Sequence, residues 1–134
     1  MSNAIRCHKA GGPEVLVYEP VEVPPPGPGE VRLLHTYVGV NFIDTYHRTG
    51  LYPQPLPVVL GSEGAGRVAA LGPGVTTLEV GERVAYASLP GAWCQERNVP
   101  ADRLVKLPDT VSDELAAAVM LKGMTAEYLV RRTY

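Results

Sequence analysis

The stretch that decides the fold is EVRLLHTYVGVNFIDTYHRTG, residues 30–50. Its first part alternates polar and apolar side chains and then becomes mainly apolar, which predicts a long strand over 30–40 with one buried face. Asn41 breaks that pattern, and the apolar residues at positions 42, 43 and 46 then follow a helical spacing. We therefore predict a short helix over 42–49, with Asn41 as its N-cap and Gly50 just beyond its end.

The chain on both sides of this stretch predicts further short strands separated by turns rich in Gly and Pro. Residues 24–29 read PPPGPG, a run that excludes regular structure and indicates a connector. Many short strands at close spacing are typical of a β-barrel or sandwich. A hairpin is expected over 5–19, and later strands over 58–61, 66–71, 83–86, 91–99 and 104–107.

The character of the sequence changes after Pro108. Ser112 is a predicted N-cap, and the two acidic residues after it favour a helix that continues through the apolar run 115–121. Lys122 and Gly123 are expected to interrupt this helix, and a second helix is expected over 124–132. We assign residues 1–123 to one β domain and 124–134 to the start of a helix that leads to a domain outside this chain.

The composition sets limits on partners and location. The 134 residues suit one domain, and the net charge of −2 has both signs interspersed, which gives no electrostatic case for nucleic acid or an anionic membrane. No apolar run is long enough for a transmembrane helix. No secretory signal is evident, so we expect a cytoplasmic protein. Cys7 and Cys94 are too few and too far apart for a disulfide framework or a zinc ribbon.

Four segments in order resemble the N-terminal half of a medium-chain dehydrogenase/reductase, in the zinc-free quinone oxidoreductase (zeta-crystallin-like) branch. The resemblance covers essentially the whole chain. It implies a mainly β domain with short helices, the GroES-like (chaperonin-10-like) barrel, with the Rossmann domain absent from this chain. The four segments are HKAGGPEVL (8–16), GVNFIDTY (39–46), GSEGAGRV (61–68) and LKGMTA (121–126).

Two positions depart from the zinc-dependent members of that superfamily. Those enzymes usually place a Cys ligand where Asn41 stands and a His ligand where Ser62 stands. An amide and a hydroxyl do not replace thiolate and imidazole as Zn²⁺ ligands, so the resemblance implies no metal site. Glu63 is all that remains of that ligand set, and we interpret it as a partly buried carboxylate paired within the barrel.

The chain also lacks the phosphate-binding loop of a Rossmann domain. That loop needs Gly-x-Gly-x-x-Gly directly after a strand and opening a helix. Residues 61–66 have the wrong spacing and lead into a strand, and Pro73 removes an N–H from the Gly72–Gly74 turn. We therefore expect NADPH to be bound mostly outside this chain.

The resemblance assigns a site to the junction between the strand and the first helix. It implies that Asn41, Asp44, Tyr46 and Tyr52 are the catalytic residues. Each has a simpler alternative: a helix cap for Asn41, a position on the helix surface for Asp44, and packing at the barrel edge for the two tyrosines. The residues implied to contact the cofactor are Asn41, Phe42, Ile43, Asp44, Thr45, Tyr46, Lys122, Thr125 and Tyr128. Thr125 is alternatively the N-cap of the last helix, and Lys122 a solvated lysine.

The resemblance implies hydride transfer from NADPH to a small-molecule quinone without a metal, in a homodimer. An NADPH-dependent reductase of alkenals or enones needs the same pocket, so that alternative stays open. A non-catalytic GroES-like module is a third possibility. Because one wall of the cleft would be missing, we expect the 134-residue chain alone to have little or no reductase activity.

Overall fold

The computed structural model describes residues 1–133. These residues form two antiparallel sheets and two α-helices. One sheet has the order β2-β1-β4, and the other has the order β7-β3-β5-β6-β8. The strands are β1 (Ser2–Cys7), β2 (Leu16–Val21), β3 (Glu30–Val38), β4 (Val58–Val59), β5 (Glu63–Leu71), β6 (Arg83–Ala87), β7 (Glu96–Pro100) and β8 (Val105–Lys106).

The first helix, α1 (Phe42–Thr49), agrees with the prediction from the sequence. Asn41 precedes it with extended backbone, and Gly50 ends it with a φ of 81°. That left-handed conformation is favourable for a residue without a Cβ. β3 ends at Val38, two residues earlier than predicted, so Gly39 and Val40 connect the sheet to the helix.

The second helix, α2 (Asp113–Arg132), corrects the prediction of an interruption at Lys122 and Gly123. It is one helix of 20 residues, so the expectation of short helices holds only for α1. Its N-terminus is fixed by the Ser112 hydroxyl, which accepts from the Leu115 N–H at 3.1 Å. Ala116 and Ala117 are buried against Ala65 and Ala85 of the larger sheet, and these small side chains let the helix approach closely.

The main core lies on the larger sheet. It contains Val31, Leu33, Val68, Leu78, Val84, Tyr86, Ala92 and Val99. The predicted strand over 91–99 is wrong in its first half, because only Glu96–Pro100 joins the sheet. Residues 92–95 instead connect the sheets, through a bridge between Ala4 and Cys94 and a hydrogen bond from the Ile5 N–H to the Trp93 carbonyl. Neither helix of the described chain combines the length and apolar character needed to cross a membrane.

Candidate functional site

The candidate site begins where β3 passes into α1. The Asn41 N–H donates to the Asp44 carboxylate at 2.8 Å, and the Asp44 N–H donates to the Asn41 carbonyl at 3.0 Å. These reciprocal bonds fix the first turn of the helix. Asp44 is only 1% exposed, and the Ser62 hydroxyl lies 3.4 Å from its second carboxylate oxygen. The aspartate predicted to be catalytic therefore lies beneath the junction and supports the position of Asn41.

Three polar side chains meet beside this junction: Asn41, Glu63 on β5 and Lys122 on α2. Asn41 Nδ2 donates to Glu63 Oε1 at 2.7 Å, and Lys122 Nζ donates to Asn41 Oδ1 at 2.8 Å. Lys122 Nζ also lies 3.3 Å from Glu63 Oε1. We call this closed arrangement the polar triad. It unites residues that are 22 to 81 positions apart in the chain.

Asn41 and Lys122 of the polar triad form one side of an open groove between α1 and α2, and Glu63 lies behind them. The groove has a volume of about 520 Å³. Ile43 and Leu129 supply apolar surface, and Thr125 lies on the α2 side. The Thr125 hydroxyl donates to the Leu121 carbonyl at 2.9 Å within the continuous helix, so the alternative of an N-cap at Thr125 is wrong. The complete lining is Asn41, Ile43, Leu121, Lys122, Thr125, Ala126 and Leu129.

A second feature of α1 is an aromatic cluster formed by Phe42, Tyr46 and Tyr52. The rings of Phe42 and Tyr46 pack edge to face with centroids 5.2 Å apart, and those of Tyr46 and Tyr52 are 5.1 Å apart. Phe42 is 73% exposed and Tyr52 is 49% exposed, so the cluster presents aromatic surface to solvent. None of the three residues lines the groove of the polar triad.

The structure thus brings only part of the predicted set together. Asn41, Ile43, Lys122 and Thr125 share the groove. Thr45 donates its hydroxyl to the Phe42 carbonyl at 2.6 Å, within α1. Tyr128 is 54% exposed on α2 and does not line the groove. The roles of all these residues in catalysis or cofactor binding stay predictions.

The residue that sequence reasoning undervalued is Glu63. It has no exposed surface, and its Oε2 accepts the N–H of Leu121 at 2.8 Å in addition to the bonds within the polar triad. A partly buried carboxylate paired within the barrel was predicted; the structure corrects this to a fully buried one, whose partners are the N-cap residue of α1 and two residues of α2. The available signal was an acidic residue in a run of glycines and alanines, where small neighbours leave room for helices to approach.

A partly buried hydrogen-bond network joins His35 on β3, Tyr86 on β6 and Cys94. His35 Nε2 and the Tyr86 hydroxyl are 2.9 Å apart, and His35 Nδ1 is 2.8 Å from the Cys94 carbonyl. Burial lowers the pKa of His35 to about 4 and raises the pKa of Tyr86 to about 12. Burial also raises the pKa of the Cys94 thiol to about 11. At neutral pH all three groups are therefore uncharged, which is typical of a structural network and not of a reactive one.

The electrostatics of the α2 N-terminus fix the helix that carries Lys122. Asp113 accepts from the Arg83 guanidinium at 2.8 Å and from the Thr36 hydroxyl at 2.7 Å. Partial burial acts to raise the pKa of Asp113, but these two hydrogen bonds and the Arg83 charge outweigh it and lower the pKa below its usual value. Arg83 also donates to the Val111 carbonyl, so this β6 residue binds the chain on both sides of the N-cap residue Ser112.

Comparisons with known proteins point to one family. A family model described as the alcohol dehydrogenase GroES-like domain matches residues 27–133. The quinone oxidoreductase of Pseudomonas aeruginosa is 53% identical over 136 residues, which is 100% of this chain and 42% of that protein. The 2-haloacrylate reductase of a Burkholderia species is 51% identical over 142 residues, with the same two coverages.

A solved structure leads to the same conclusion. The structure of Escherichia coli quinone oxidoreductase complexed with NADPH matches with a TM-score of 0.95 and 46% identity, over 98% of this chain and 41% of that chain. The chain therefore spans about two fifths of the length of these relatives, and their additional length has no counterpart in it. The predicted GroES-like fold and the resemblance to quinone oxidoreductases are confirmed. The chain belongs to the family of alcohol dehydrogenase GroES-like domains, as the counterpart of the N-terminal part of the quinone oxidoreductases.

Proposed function

We propose that this chain is the substrate-side domain of an NADPH-dependent quinone reductase that works without a metal. The observation that carries the proposal is the polar triad at the edge of a groove, in which the orientation of the Asn41 amide is fixed by its two charged partners. The quinone oxidoreductases that match the whole of this chain at 50–53% identity support it, although the chain covers only 42% of their length.

The donor set of the groove fits a nicotinamide and a carbonyl substrate. NADPH, when bound, supplies the hydride. One Nδ2 hydrogen of Asn41 has no acceptor within residues 1–133 and can donate to an oxygen that gains negative charge. The Thr125 hydroxyl donates to Leu121 but keeps its acceptor lone pairs for an amide N–H. Ile43 and Leu129 supply apolar surface that a bound nicotinamide would cover, which would exclude water from the adjacent donors.

The aromatic cluster is proposed to hold the acceptor molecule. A quinone is flat and carries carbonyl oxygens at its rim. The rings of Tyr46 and Tyr52 can pack against the face of such a molecule, and their hydroxyls can donate to its oxygens. Tyr46 is half-buried and Tyr52 is exposed, so both rings have surface available for this contact.

Independence from zinc is supported by the donor types at two positions. Asn41 is committed to Glu63 and Lys122, and the Ser62 hydroxyl is directed at Asp44. An amide nitrogen and a hydroxyl in these roles are poor ligands for Zn²⁺. We therefore propose that the charge of the reacting oxygen is stabilised by hydrogen-bond donors.

A reductase of activated C=C bonds is the second candidate, because the Burkholderia relative at 51% identity is a 2-haloacrylate reductase. A conjugated acceptor would use the same donors. The homodimeric state and the cytoplasmic location stay predictions. The domain boundary after residue 123 also stays a prediction. A non-catalytic GroES-like module stays the third possibility.

The full-length protein that carries this chain provides the test. Oxidation of NADPH is followed with 1,4-benzoquinone and, separately, with 2-chloroacrylate as the acceptor, before and after treatment with a chelator. We expect turnover of the quinone, no effect of the chelator, and a loss of about 100-fold in kcat for Asn41→Ala. Bound NADPH with no quinone turnover would refute the quinone proposal, and a higher kcat/KM for the acrylate would favour the second candidate.

A further inference from the structure

Glu63 is a carboxylate buried without any exposed surface, behind the groove and not in its lining. Removing a carboxylate from water is unfavourable unless donors replace the lost hydration. Three donors do so here: Asn41 Nδ2, the Leu121 N–H and Lys122 Nζ. All three donors belong to residues that line the groove, two through their side chains and Leu121 through its backbone.

The geometry of the polar triad fixes which way the Asn41 amide faces. Its NH₂ group is directed at the Glu63 carboxylate, and its oxygen at the Lys122 ammonium. The reversed amide would place its oxygen against an anion and its NH₂ group against a cation, and both contacts are repulsive. Without the negative charge at position 63, one of the two contacts that discriminate between the amide orientations is lost.

Glu63 also controls the position of Lys122. The lysine side chain is 59% exposed, so packing alone does not hold it. Its Nζ is held by Glu63 Oε1 and Asn41 Oδ1, at the edge of the groove. Because both partners are fixed by the protein interior, the ammonium has one preferred place.

We infer that Glu63 is a positioning residue: it orients the Asn41 amide and the Lys122 ammonium at the edge of the groove, towards the cofactor that the groove would hold and the acceptor beside it. This inference rests on the proposed reductase function. The competing explanation is that Glu63 only anchors α2 through the Leu121 N–H. The two explanations differ in whether the effect of Glu63 depends on Lys122.

The first test needs no turnover. Nuclear magnetic resonance of the 134-residue chain follows the side-chain NH₂ of Asn41 in the parent and in Glu63→Gln, which has nearly the same shape but no charge. We expect the Asn41 resonances to move and to lose protection from solvent exchange. Glu79→Gln removes an exposed carboxylate far from the groove and serves as the matched control. Unchanged Asn41 resonances in Glu63→Gln would overturn the inference.

The second test is a double-mutant cycle in the full-length protein, with NADPH and 1,4-benzoquinone. We expect Glu63→Gln to lower kcat/KM about tenfold, as for the loss of a charge-assisted hydrogen bond. In the Lys122→Met background the same change should cost less than about threefold, because the two residues act together. An equal loss in both backgrounds means that Glu63 only anchors α2, and it overturns the inference.

The two tests separate the inference from the proposed function. A parent protein that binds NADPH but reduces neither quinone nor acrylate refutes the reductase. In that case the resonance experiment still decides whether Glu63 orients Asn41. Thermal unfolding of each variant, with a midpoint close to that of the parent, establishes that a change in the resonances or in kcat/KM does not come from a loss of folded protein.

Discussion

Gly39 and Glu63 are in contact at a place where no side chain fits on residue 39. A Cβ built on Gly39 would lie 2.5 Å from Glu63 Oε1 and would overlap the glutamate Cγ. The two residues are also joined through their backbones, since the Gly39 N–H donates to the Glu63 carbonyl at 3.0 Å. The glycine of the GVN segment is therefore required by the buried carboxylate of the polar triad.

Gly39→Ala is predicted to destabilise the chain and to displace Glu63. Overpacking of a well-packed site costs about 1–3 kcal/mol, so the free energy of unfolding in urea should fall by this amount. The Asn41 side-chain resonances should move as they do in Glu63→Gln. A variant as stable as the parent, with unchanged resonances, would show that the glutamate can move aside freely.

Gly123→Ala is predicted to have the opposite effect on stability. Gly123 lies in the interior of α2, and a Cβ there meets no atom within 4 Å. Replacing a helical glycine by alanine stabilises a helix by about 1 kcal/mol. Urea unfolding under identical conditions measures whether the free energy of unfolding falls in Gly39→Ala and rises in Gly123→Ala. A destabilised Gly123→Ala would argue against a continuous α2.

The failure at Gly123 shows where sequence reasoning reached its limit. The helix α1 was predictable because its signals are local: Asn41 before it, apolar residues at helical spacing within it, and Gly50 after it. Lys122 and Gly123 looked like a break for equally local reasons. The helix continues because Ala116 and Ala117 pack on the sheet and Glu63 accepts the Leu121 N–H, and these contacts are not visible in the local pattern.

The candidate site also has one part that local sequence signals predict and another that depends on tertiary contacts. Asn41 was predicted to lie at the site from the resemblance of its segment, and the structure places it in the lining of the groove. The polar triad could not, because Glu63 and Lys122 are 59 residues apart and only the packing of α2 on β5 brings them together. A single sequence contains no signal for that pairing.

Folding stability is predicted to fall as the pH drops below neutral, because of His35. Burial lowers its pKa to about 4 in the folded chain, whereas an unfolded histidine titrates near 6.5. The unfolded chain thus binds a proton first, so stability is retained above pH ~6.5 and is lost as the pH falls towards 4. Between pH 7 and 5 the expected loss is about 2 kcal/mol.

Urea unfolding at pH 7, 6 and 5 measures this loss. The stability of His35→Gln should depend less on pH than that of the parent, even though the loss of the two His35 hydrogen bonds lowers its stability at every pH. His8→Gln is the matched control, because His8 is exposed and pairs with Glu19 at the surface. If the free energy of unfolding depends on pH equally in the parent and in His35→Gln, His35 is not the cause of the pH dependence.

Both cysteines are predicted to be unreactive in the folded chain. Burial raises the pKa of Cys7 and raises that of Cys94 to about 11. The thiolate fraction of Cys94 at pH 8 is then roughly a hundredth of that of a free thiol with a pKa near 9. Alkylation by iodoacetamide, followed by mass spectrometry with and without urea, measures this protection. Rapid labelling of Cys94 under native conditions would contradict it.

The aromatic cluster leads to a last prediction, which separates ring contact from hydrogen bonding. Tyr52→Phe preserves the ring that packs 5.1 Å from Tyr46 and removes only the hydroxyl. If the ring holds the quinone by its face, the full-length Tyr52→Phe protein should keep nearly the KM of the parent. Tyr52→Ala should then raise the KM for 1,4-benzoquinone about tenfold, since an aromatic contact and its buried area are lost together. Equal losses in the two variants would instead assign the contact to the hydroxyl.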